Sequence, residues 1–347
     1  MKGDRVVVAS LVIIVIFIAG VVLRLAKPVL FPISLAVFLS FLLSPVLNFF
    51  TRLKIPKALS IIFILVMTFL IIYLLGSIFY SSGNAFASEF PDYKEKIDHK
   101  LEKISSFLAS IQEKLNPSGP DWQPEDWLGE LDINKIGGII SSSLGAFLSF
   151  MSNFFIIFIF LIFILAGRGK MKKKIKRSFD EKKYQKIIYV LDNIDSQIQK
   201  YLAIKTVVSF FTGIFATVVL LLFGVDFAIV FGFFTFILNY IPNIGSIIAT
   251  AMPVSIAFFQ FDTLWPAIWI IIILGSIQMV LGNIIEPRLM GEGLGLSTLV
   301  VLFFLFFWYW LWGIPGMILA VPTAAIVKIV CNNIPSLHFV GELLSKG

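Results

Sequence analysis

The sequence predicts an all-α, polytopic integral membrane protein. Of its 347 residues, 58% are hydrophobic and 14% are charged, whereas soluble domains average about 25% charged residues. The mean hydropathy is +0.95. Six continuous apolar runs approach or exceed the length that a helix needs to cross a hydrocarbon core about 30 Å thick. These spans are residues 6–23, 29–50, 58–79, 144–166, 207–223 and 265–281.

Two more apolar stretches, residues 227–261 and 297–330, are interrupted by proline and glycine near their middles. Each is too long for a single span of about 20 residues. Because proline removes a backbone donor, a break within hydrocarbon requires protein or a wet cavity to satisfy the freed polar groups. Each stretch is expected to form a hairpin beside the six spans, with an eight-span arrangement as the alternative; the sequence does not decide whether the hairpins are re-entrant.

Basic residues beside the spans predict the orientation. The first span follows Lys2 and Arg5 but exceeds the usual core of a signal peptide, about 7–15 residues, so it is interpreted as retained. Other basic residues lie after the second and fourth spans: Arg52, Lys54, Lys57, Arg168, Lys170, Lys172, Lys173, Lys174, Lys176 and Arg177. Under the positive-inside rule these loops and both termini are cytoplasmic. The net charge of +7 then indicates contact with membrane lipids rather than nucleic acid.

A polar insert, residues 81–143, separates the third and fourth spans and is expected outside. Apolar residues recur in it at heptad-like spacing, at Tyr93, Ile97, Leu101, Ile104, Leu108, Ile111 and Leu115. Such a seam needs a partner helix, either a second arm of the insert or another copy in a homo-oligomer. Pro117, Pro120 and Pro124 end this helix, and Trp122 and Trp127 would anchor the returning chain.

The domain organisation follows from these features. A cytoplasmic amphipathic helix is predicted where Ile187, Leu191, Ile194, Ile198 and Tyr201 recur at helical spacing, and we expect it on the membrane surface. The predicted regions are a three-span region at 1–80, the insert at 81–143, the fourth span at 144–166, a basic loop with the amphipathic helix at 167–206 and a transport region at 207–347.

The two breaks supply the candidate substrate pathway. Asparagine and glycine accept unusual backbone angles, and an opened turn points helix-end amides and carbonyls at whatever occupies a cavity. The alternative is a kink that only packs helices. The candidate pathway residues are Asn239, Pro242, Asn243, Gly245, Gly313, Pro315, Gly316 and Pro322.

A second candidate site follows the sixth span, at Asn283, Glu286, Pro287 and Arg288. Ionisable groups at membrane depth are costly and suggest function. Glu286 and Arg288 are therefore predicted to form an ion pair that gates the pathway, with a topological anchor in the interface as the equal alternative. The nearby glycines lack the preceding strand and the lysine of a phosphate-binding loop, so nucleotide binding is not expected.

The segments YIPNIGSIIATAMP, NIIEPRLMGEGLGLS and WGIPGMILAVPTAAIVK together resemble the autoinducer-2 exporter family of permeases. The resemblance implies a bacterial inner-membrane transporter, of which some members are described as exporters of the furanone autoinducer-2 and others as sodium or lithium/proton antiporters. It also implies that seven residues occupy recurrent motif positions: Pro242, Gly245, Glu286, Pro287, Gly313, Gly316 and Pro322.

The sequence as a whole favours a secondary transporter that exports a small polar solute such as a furanone-type signal. The alternatives are a Na⁺(Li⁺)/H⁺ antiporter, which would usually need more acids at membrane depth, and a structural assembly protein. No HExxH or GxSxG motif occurs, so no enzyme activity, catalytic residue, metal ligand or cofactor is expected. The expected partners are a small-molecule or ion substrate and membrane lipids.

Overall fold

The computed structural model describes residues 2–115, 133–291 and 293–346, and this part of the chain is almost entirely helical. The helices are α1 Lys2–Leu25, α2 Lys27–Arg52, α3 Lys57–Leu115, α4 Ile133–Ser178, α5 Glu181–Leu222, α6 Ala228–Leu238, α7 Ile244–Gln260, α8 Trp265–Gln278, α9 Glu286–Met290, α10 Thr298–Trp312, α11 Ile314–Met317, α12 Ala320–Asn333 and α13 His338–Leu344. A π-helix, Met279–Ile285, joins α8 to α9, and a 3₁₀ turn, Pro335–Leu337, precedes α13. One antiparallel bridge pairs Leu296 with Ser345.

The polytopic all-α prediction is confirmed. Each of the six predicted spans lies within one of the long helices α1 to α5 or within α8 and its π-helical continuation, except that the fifth ends one residue beyond α5. In the described residues, four helices are long and apolar enough to cross a membrane, and six are if each of two bent pairs counts as one span.

The third span does not end where the insert begins. Helix α3 has 59 residues, which makes it about 88 Å long at 1.5 Å per residue, and it crosses the predicted boundary at residue 80. The helix continues through Gly83 and Pro91, so neither residue ends it at the boundary. The side chains of the predicted heptad seam, and all of residues 116–132 with their prolines and tryptophans, lie outside the described residues, so the seam stays a prediction.

The amphipathic segment does not form a separate surface helix. Helix α5 runs unbroken for 42 residues, about 63 Å, through the fifth span, and the side chain of Asp180 caps its N-terminus. Ile198 and Tyr201 are buried in the core against α2 and α4. The prediction of a helix lying on the membrane was wrong for this half of the stripe, because its apolar side chains face protein.

The two sides of the molecule can be defined from these helices. The basic side carries the α2–α3 connection and the end of α4, and the insert side is the opposite one, into which α3 continues. Helix α7 ends on the insert side, where Gln260 Nε2 donates to the carbonyl of Gly224 at 2.7 Å. Helix α12 ends on the basic side, where Lys328 Nζ donates to the carbonyl of Gly295 at 2.6 Å.

Both broken stretches form hairpins whose arms are short. Hairpin 1 consists of α6 and α7, with 11 and 17 residues, and hairpin 2 consists of α10 and α12, with 15 and 14 residues. A spanning helix needs about 20 residues. Hairpin 1 therefore enters and leaves on the insert side and hairpin 2 on the basic side, so we describe both as re-entrant.

Candidate substrate pathway

The two hairpin tips point in opposite directions and overlap near the middle of the molecule. Contacts with helix α2 give the depth of each tip. Phe31 of α2 packs edge-on against Trp312 of hairpin 2, with ring centroids 5.7 Å apart. Phe38 of α2 packs against Tyr240 of hairpin 1, with ring centroids 6.2 Å apart. The two α2 positions are seven residues apart, about 10 Å along the axis. Hairpin 1 thus reaches deeper toward the basic side, and hairpin 2 reaches the level of the end of α1, where the indole of Trp312 donates to the carbonyl of Leu23 at 3.3 Å.

Hairpin 1 is held at its tip by hydrogen bonds to α5. Asn239 Nδ2 donates to Ser209 Oγ at 3.0 Å, and the hydroxyls of Tyr240 and Thr206 lie 2.7 Å apart. Asn239, Tyr240 and Ser209 are all buried. A buried polar group without a partner costs about 1–3 kcal/mol, so these bonds fix the tip against one face of α5.

Glycines allow each hairpin to fold back tightly. A Cβ on Gly245 would lie 1.8 Å from the carbonyl oxygen of Leu238, and a Cβ on Gly316 would lie 2.5 Å from that of Trp308. Both positions therefore need glycine for close backbone approach. Gly313, with φ of 76°, supplies the left-handed turn of hairpin 2.

An ion pair lies one helical turn from the bonds at the hairpin 1 tip. Lys205 Nζ of α5 lies 2.8 Å from each carboxylate oxygen of Glu286, and only 7% and 13% of the two side chains are exposed. Withdrawing two charges from water costs several kcal/mol per ion, which only close and well-oriented contact offsets. The two hydrogen bonds to both oxygens provide that contact.

The predicted partner of Glu286 was Arg288, and the structure gives Lys205 instead. Residues 286 and 288 are two apart on α9, and residues at that separation point to different sides of a helix. Arg288, Asn283 and Pro287 are exposed, whereas Glu286 faces α5. Pro287 is the second residue of α9 and follows the π-helix, whose wider winding accommodates a proline that cannot donate to residue 283.

A cavity of about 190 Å³ lies next to the ion pair. Its lining comes from α5 and from the turn after α9: Gln197, Lys200, Tyr201, Ile204, Met290, Gly293 and Leu294. Tyr201 stands one turn before Lys205 on α5, so the cavity lies on the basic side of the pair. The volume would accommodate several water molecules, at about 30 Å³ each.

Beyond the tip, a narrow crevice continues between α5, α6, α7 and α8. Its polar lining residues are Thr212, Thr235, Thr250 and Gln278. Thr212 and Thr235 are buried and donate to carbonyls one turn earlier in their own helices, at 2.7 and 2.8 Å. Together with Lys205, Thr206 and Ser209, Thr212 continues one polar stripe along α5. We call the residues 205, 206, 209, 212, 235, 239, 240 and 286 the polar row.

The polar row is closed where α5 meets α6. A Cβ on Gly213 would lie 2.8 Å from the carbonyl oxygen of Gly232, and a Cβ on Gly232 would lie 1.7 Å from the hydroxyl of Thr217. The helices are thus in backbone contact just beyond Thr212. A solute could enter the row from the cavity side only if a hairpin tip or the ion pair moved.

The predicted pathway residues are split between different surroundings. Of those at the first break, Asn239 and Gly245 are buried, Pro242 is half-buried and Asn243 is exposed. Of those at the second break, Gly316 and Pro322 are buried, Gly313 is half-buried and Pro315 is exposed. The structure brings Asn239 to the polar row with Glu286. The cavity and the crevice described above are lined by other residues, so the shared pathway at the two breaks stays a prediction.

Lys205 was missed by sequence reasoning, although a signal for it exists. The stripe Ile194, Ile198 and Tyr201 continues at the same helical spacing to Lys205 and Val208. A lysine on the buried stripe of a helix at the membrane boundary requires an acid partner. Ser209 could have been found by extending the same stripe.

Residues 11–336 match the sequence profile described as AI-2E family transporter. The chain is similar to a Borreliella burgdorferi protein named as an inferred transport protein, 33% identical over 93% of this chain and 86% of the relative. It is similar also to the AI-2 transport protein TqsA of Escherichia coli K12, 31% identical over 98% of this chain and 95% of the relative. YhhT of the same organism, another inferred transport protein, is 28% identical over 93% of this chain and 89% of its own length.

Proposed function

Since the chain belongs to the AI-2E transporter family, we propose that it is a secondary transporter that exports a small polar solute, such as a furanone-type signal, from the bacterial cytoplasm. The similarity to a relative named as an AI-2 transport protein supports the solute class. The basic loops support an orientation with both termini and the basic side in the cytoplasm of the bacterial inner membrane.

The polar row is the observation that carries this proposal. It places hydroxyl and amide groups on one line within the bundle, from beside the cavity on the basic side into the crevice toward the insert side. Pairs such as Asn239 with Ser209 can exchange their mutual hydrogen bond for bonds to a solute hydroxyl without leaving a charge unpaired. A small solute with several hydroxyl or carbonyl groups fits this lining.

The Lys205–Glu286 pair is proposed as the gate between the cavity and the rest of the polar row. The pair joins Lys205 of α5 to Glu286 of α9, and the π-helix connects α9 to α8. A change in π-helical winding would therefore move Glu286 and separate the charges. Asn283 and Pro287 belong to this hinge, and exposed Arg288 acts as an anchor in the interface. The pathway residues at the two breaks would move with the hairpin tips.

Counterflow in proteoliposomes tests the proposal. Vesicles loaded with unlabelled furanone signal should take up the labelled compound faster than empty vesicles, because a carrier exchanges solute across the membrane. Imposed proton and sodium gradients, each applied separately, identify any coupling. If the vesicles exchanged sodium or lithium for protons without the solute and showed no counterflow, the function would be antiport and the export proposal would be wrong. Protease accessibility of an N-terminal tag in intact cells checks the orientation.

A further inference from the structure

Basic side chains from two connections converge at one edge of the protein. Residues 52–57 and 170–195 contain twelve lysines and arginines against four acidic residues. The basic side chains of these stretches that the structure describes are exposed, Arg52, Lys54, Lys57, Lys170, Lys172, Lys173, Lys174, Lys176, Arg177, Lys182, Lys183 and Lys186. We call this surface the basic platform.

The platform lies at the level where apolar helix ends. Lys57 Nζ, on the first residue of α3, donates to the carbonyl of Ala166 at 3.3 Å, and Ala166 is the last residue of the fourth predicted span. Just beyond it, α4 bends by 58° between its segments Phe154–Gly167 and Lys170–Ser178. The bend turns the basic segment away from the direction of the span.

Apolar side chains are exposed among these charges. Leu53, Met171 and Phe179 are each about half exposed or more, at 58%, 61% and 48%. Lysines interleaved with exposed apolar groups suit the boundary between headgroups and acyl chains, where the former meet phosphate and the latter insert. A nucleic acid would leave the apolar groups in water.

Two exposed ion pairs lie within the platform, one joining α4 to α5 and one local to the start of α5. Lys172 Nζ lies 2.6 Å from Asp192 of α5, and Lys183 Nζ lies 3.6 Å from Asp180 at the start of that helix. Even with all four acids paired, most of the positive charge is left over. This remaining charge is exposed.

We propose that the basic platform is a binding surface for anionic phospholipid headgroups in the leaflet on the basic side. Flexible lysines act as separate point charges rather than as a rigid fork, which suits several mobile headgroups. Attraction of this kind is worth roughly a fivefold preference per lysine near the surface and is weakened by salt. The orientation is that of the proposed function, but lipid binding does not depend on the solute transported.

Fluorescence quenching in proteoliposomes tests this inference. A bimane label on Ser178→Cys, in a Cys331→Ser background, reports on lipids beside the platform. Vesicles of phosphatidylcholine receive a minor fraction of brominated phosphatidylglycerol or, in a parallel sample, brominated phosphatidylcholine. Quenching by the anionic lipid should exceed quenching by the zwitterionic one, and the ratio should fall toward one at high salt.

Matched lysine variants separate the platform from the net charge of the protein. Lys173→Gln with Lys174→Gln should lower the relative affinity for the anionic lipid by about 25-fold, so the quenching ratio should fall toward one. Lys96→Gln with Lys103→Gln, which neutralises two exposed lysines of α3 on the insert side, should leave it unchanged. A ratio of one in the parent at low salt, or an equal loss in both double variants, would overturn the proposal. The salt titration of the parent needs no substitution and decides the case if a variant folds poorly.

Discussion

At the scale of single residues, Lys205 and Glu286 depend on each other. Each is nearly buried and each is the other's ion partner at 2.8 Å. An isolated charge at this depth would be uncompensated, whereas a pair of apolar residues of similar volume would pack without that cost. The pair therefore serves less as a source of stability than as a contact that holds two helices and can separate.

The first prediction concerns this dependence. Lys205→Met should lower the free energy of unfolding by about 3–5 kcal/mol, because it leaves the carboxylate of Glu286 buried without a partner. Combining Lys205→Met with Glu286→Leu should recover most of that loss. Thermal unfolding in one lipid mixture measures both, and counterflow should be lost in both because the gate is gone.

Arg288→Gln is the matched control. Its side chain is exposed, so the free energy of unfolding of this variant should be within about 0.5 kcal/mol of that of the parent. The variant should also keep counterflow. The single variant Glu286→Leu completes the comparison. If the free energy lost by the double variant equalled the sum of the losses in Lys205→Met and Glu286→Leu, the two residues would be independent and the gate would have to lie elsewhere.

The pair also shows what single-residue patterns can and cannot predict. Glu286 stands out because it is an acid beside a proline at the end of an apolar span, and it does lie in the polar row. Arg288 was chosen as its partner from nearness in sequence. The real partner is 81 residues away, and such long-range pairing depends on how α5 packs against α9, which the local pattern does not contain.

At the scale of elements, the hairpins are shaped by backbone contact at glycine. Gly245 and Gly316 were predicted to line a pathway because glycine opens a helix. The structure uses both for the opposite purpose, since each lets a backbone carbonyl approach at a distance that no side chain permits. The break positions were predictable from composition, but whether a glycine opens or closes a turn depends on neighbours brought in by folding.

The second prediction follows from these contacts. Gly245→Ala should destabilise the protein by about 1–3 kcal/mol, because the new Cβ meets the carbonyl oxygen of Leu238 and the backbone must shift. Gly275→Ala in α8 is the control, since nothing lies within 4 Å of its Cβ, and alanine in a helix interior should stabilise by about 0.5–1 kcal/mol. Denaturation of both variants in detergent gives the two shifts, and shifts of the same sign would contradict the packing at the hairpin 1 turn.

The long helix α3 adds a contact that the sequence did not predict. Lys100 donates to the carbonyls of Phe258 and Phe261 at the end of α7, and its ammonium lies 5.3 Å from the centre of the Phe258 ring. A cation at a helix C-terminus is favourable. Burial lowers the pKa of Lys100 below its usual 10.5, and Asp262 opposes that shift. The insert helix thus fastens the outer end of hairpin 1.

The third prediction tests this fastening. Lys100→Gln should increase hydrogen exchange across residues 257–263 by about two- to fivefold, since a lost charge–dipole contact is worth about 0.3–1 kcal/mol. Lys103→Gln removes an exposed charge from the same helix and should leave the exchange unchanged. Equal exchange in both variants would mean that α3 does not restrain the hairpin.

At the scale of the whole molecule, two hairpins of opposite direction overlap inside one bundle. Hairpin 1 opens on the insert side and hairpin 2 on the basic side, and their apolar residues meet in one cluster that includes Leu238, Leu305 and Met317. Paired broken helices of this kind place a transport site near the middle of the membrane. The sequence predicted two breaks but not that their tips would be offset, because the offset depends on how each hairpin packs against α2 and α5.

The last prediction follows from the offset of the tips. In a Cys331→Ser background, Asn243→Cys at the hairpin 1 tip should react with a membrane-impermeant thiol reagent added on the basic side. Ile314→Cys at the hairpin 2 tip should react with reagent added on the insert side. Both native side chains are exposed, and the tips are displaced toward those sides by about 10 Å relative to each other. Inside-out and right-side-out vesicles give the two measurements.

A lipid-facing position provides the baseline for that experiment. Phe155 is 73% exposed on α4, and in its apolar surroundings Phe155→Cys should react slowly from either side, because thiolate formation is suppressed away from water. Labelling of both tips from the same side would mean that the hairpins share one aqueous vestibule. Labelling of each tip from its own side, accelerated or slowed by the solute, would instead identify the overlap between them, beside Tyr240, as the closed part of the pathway.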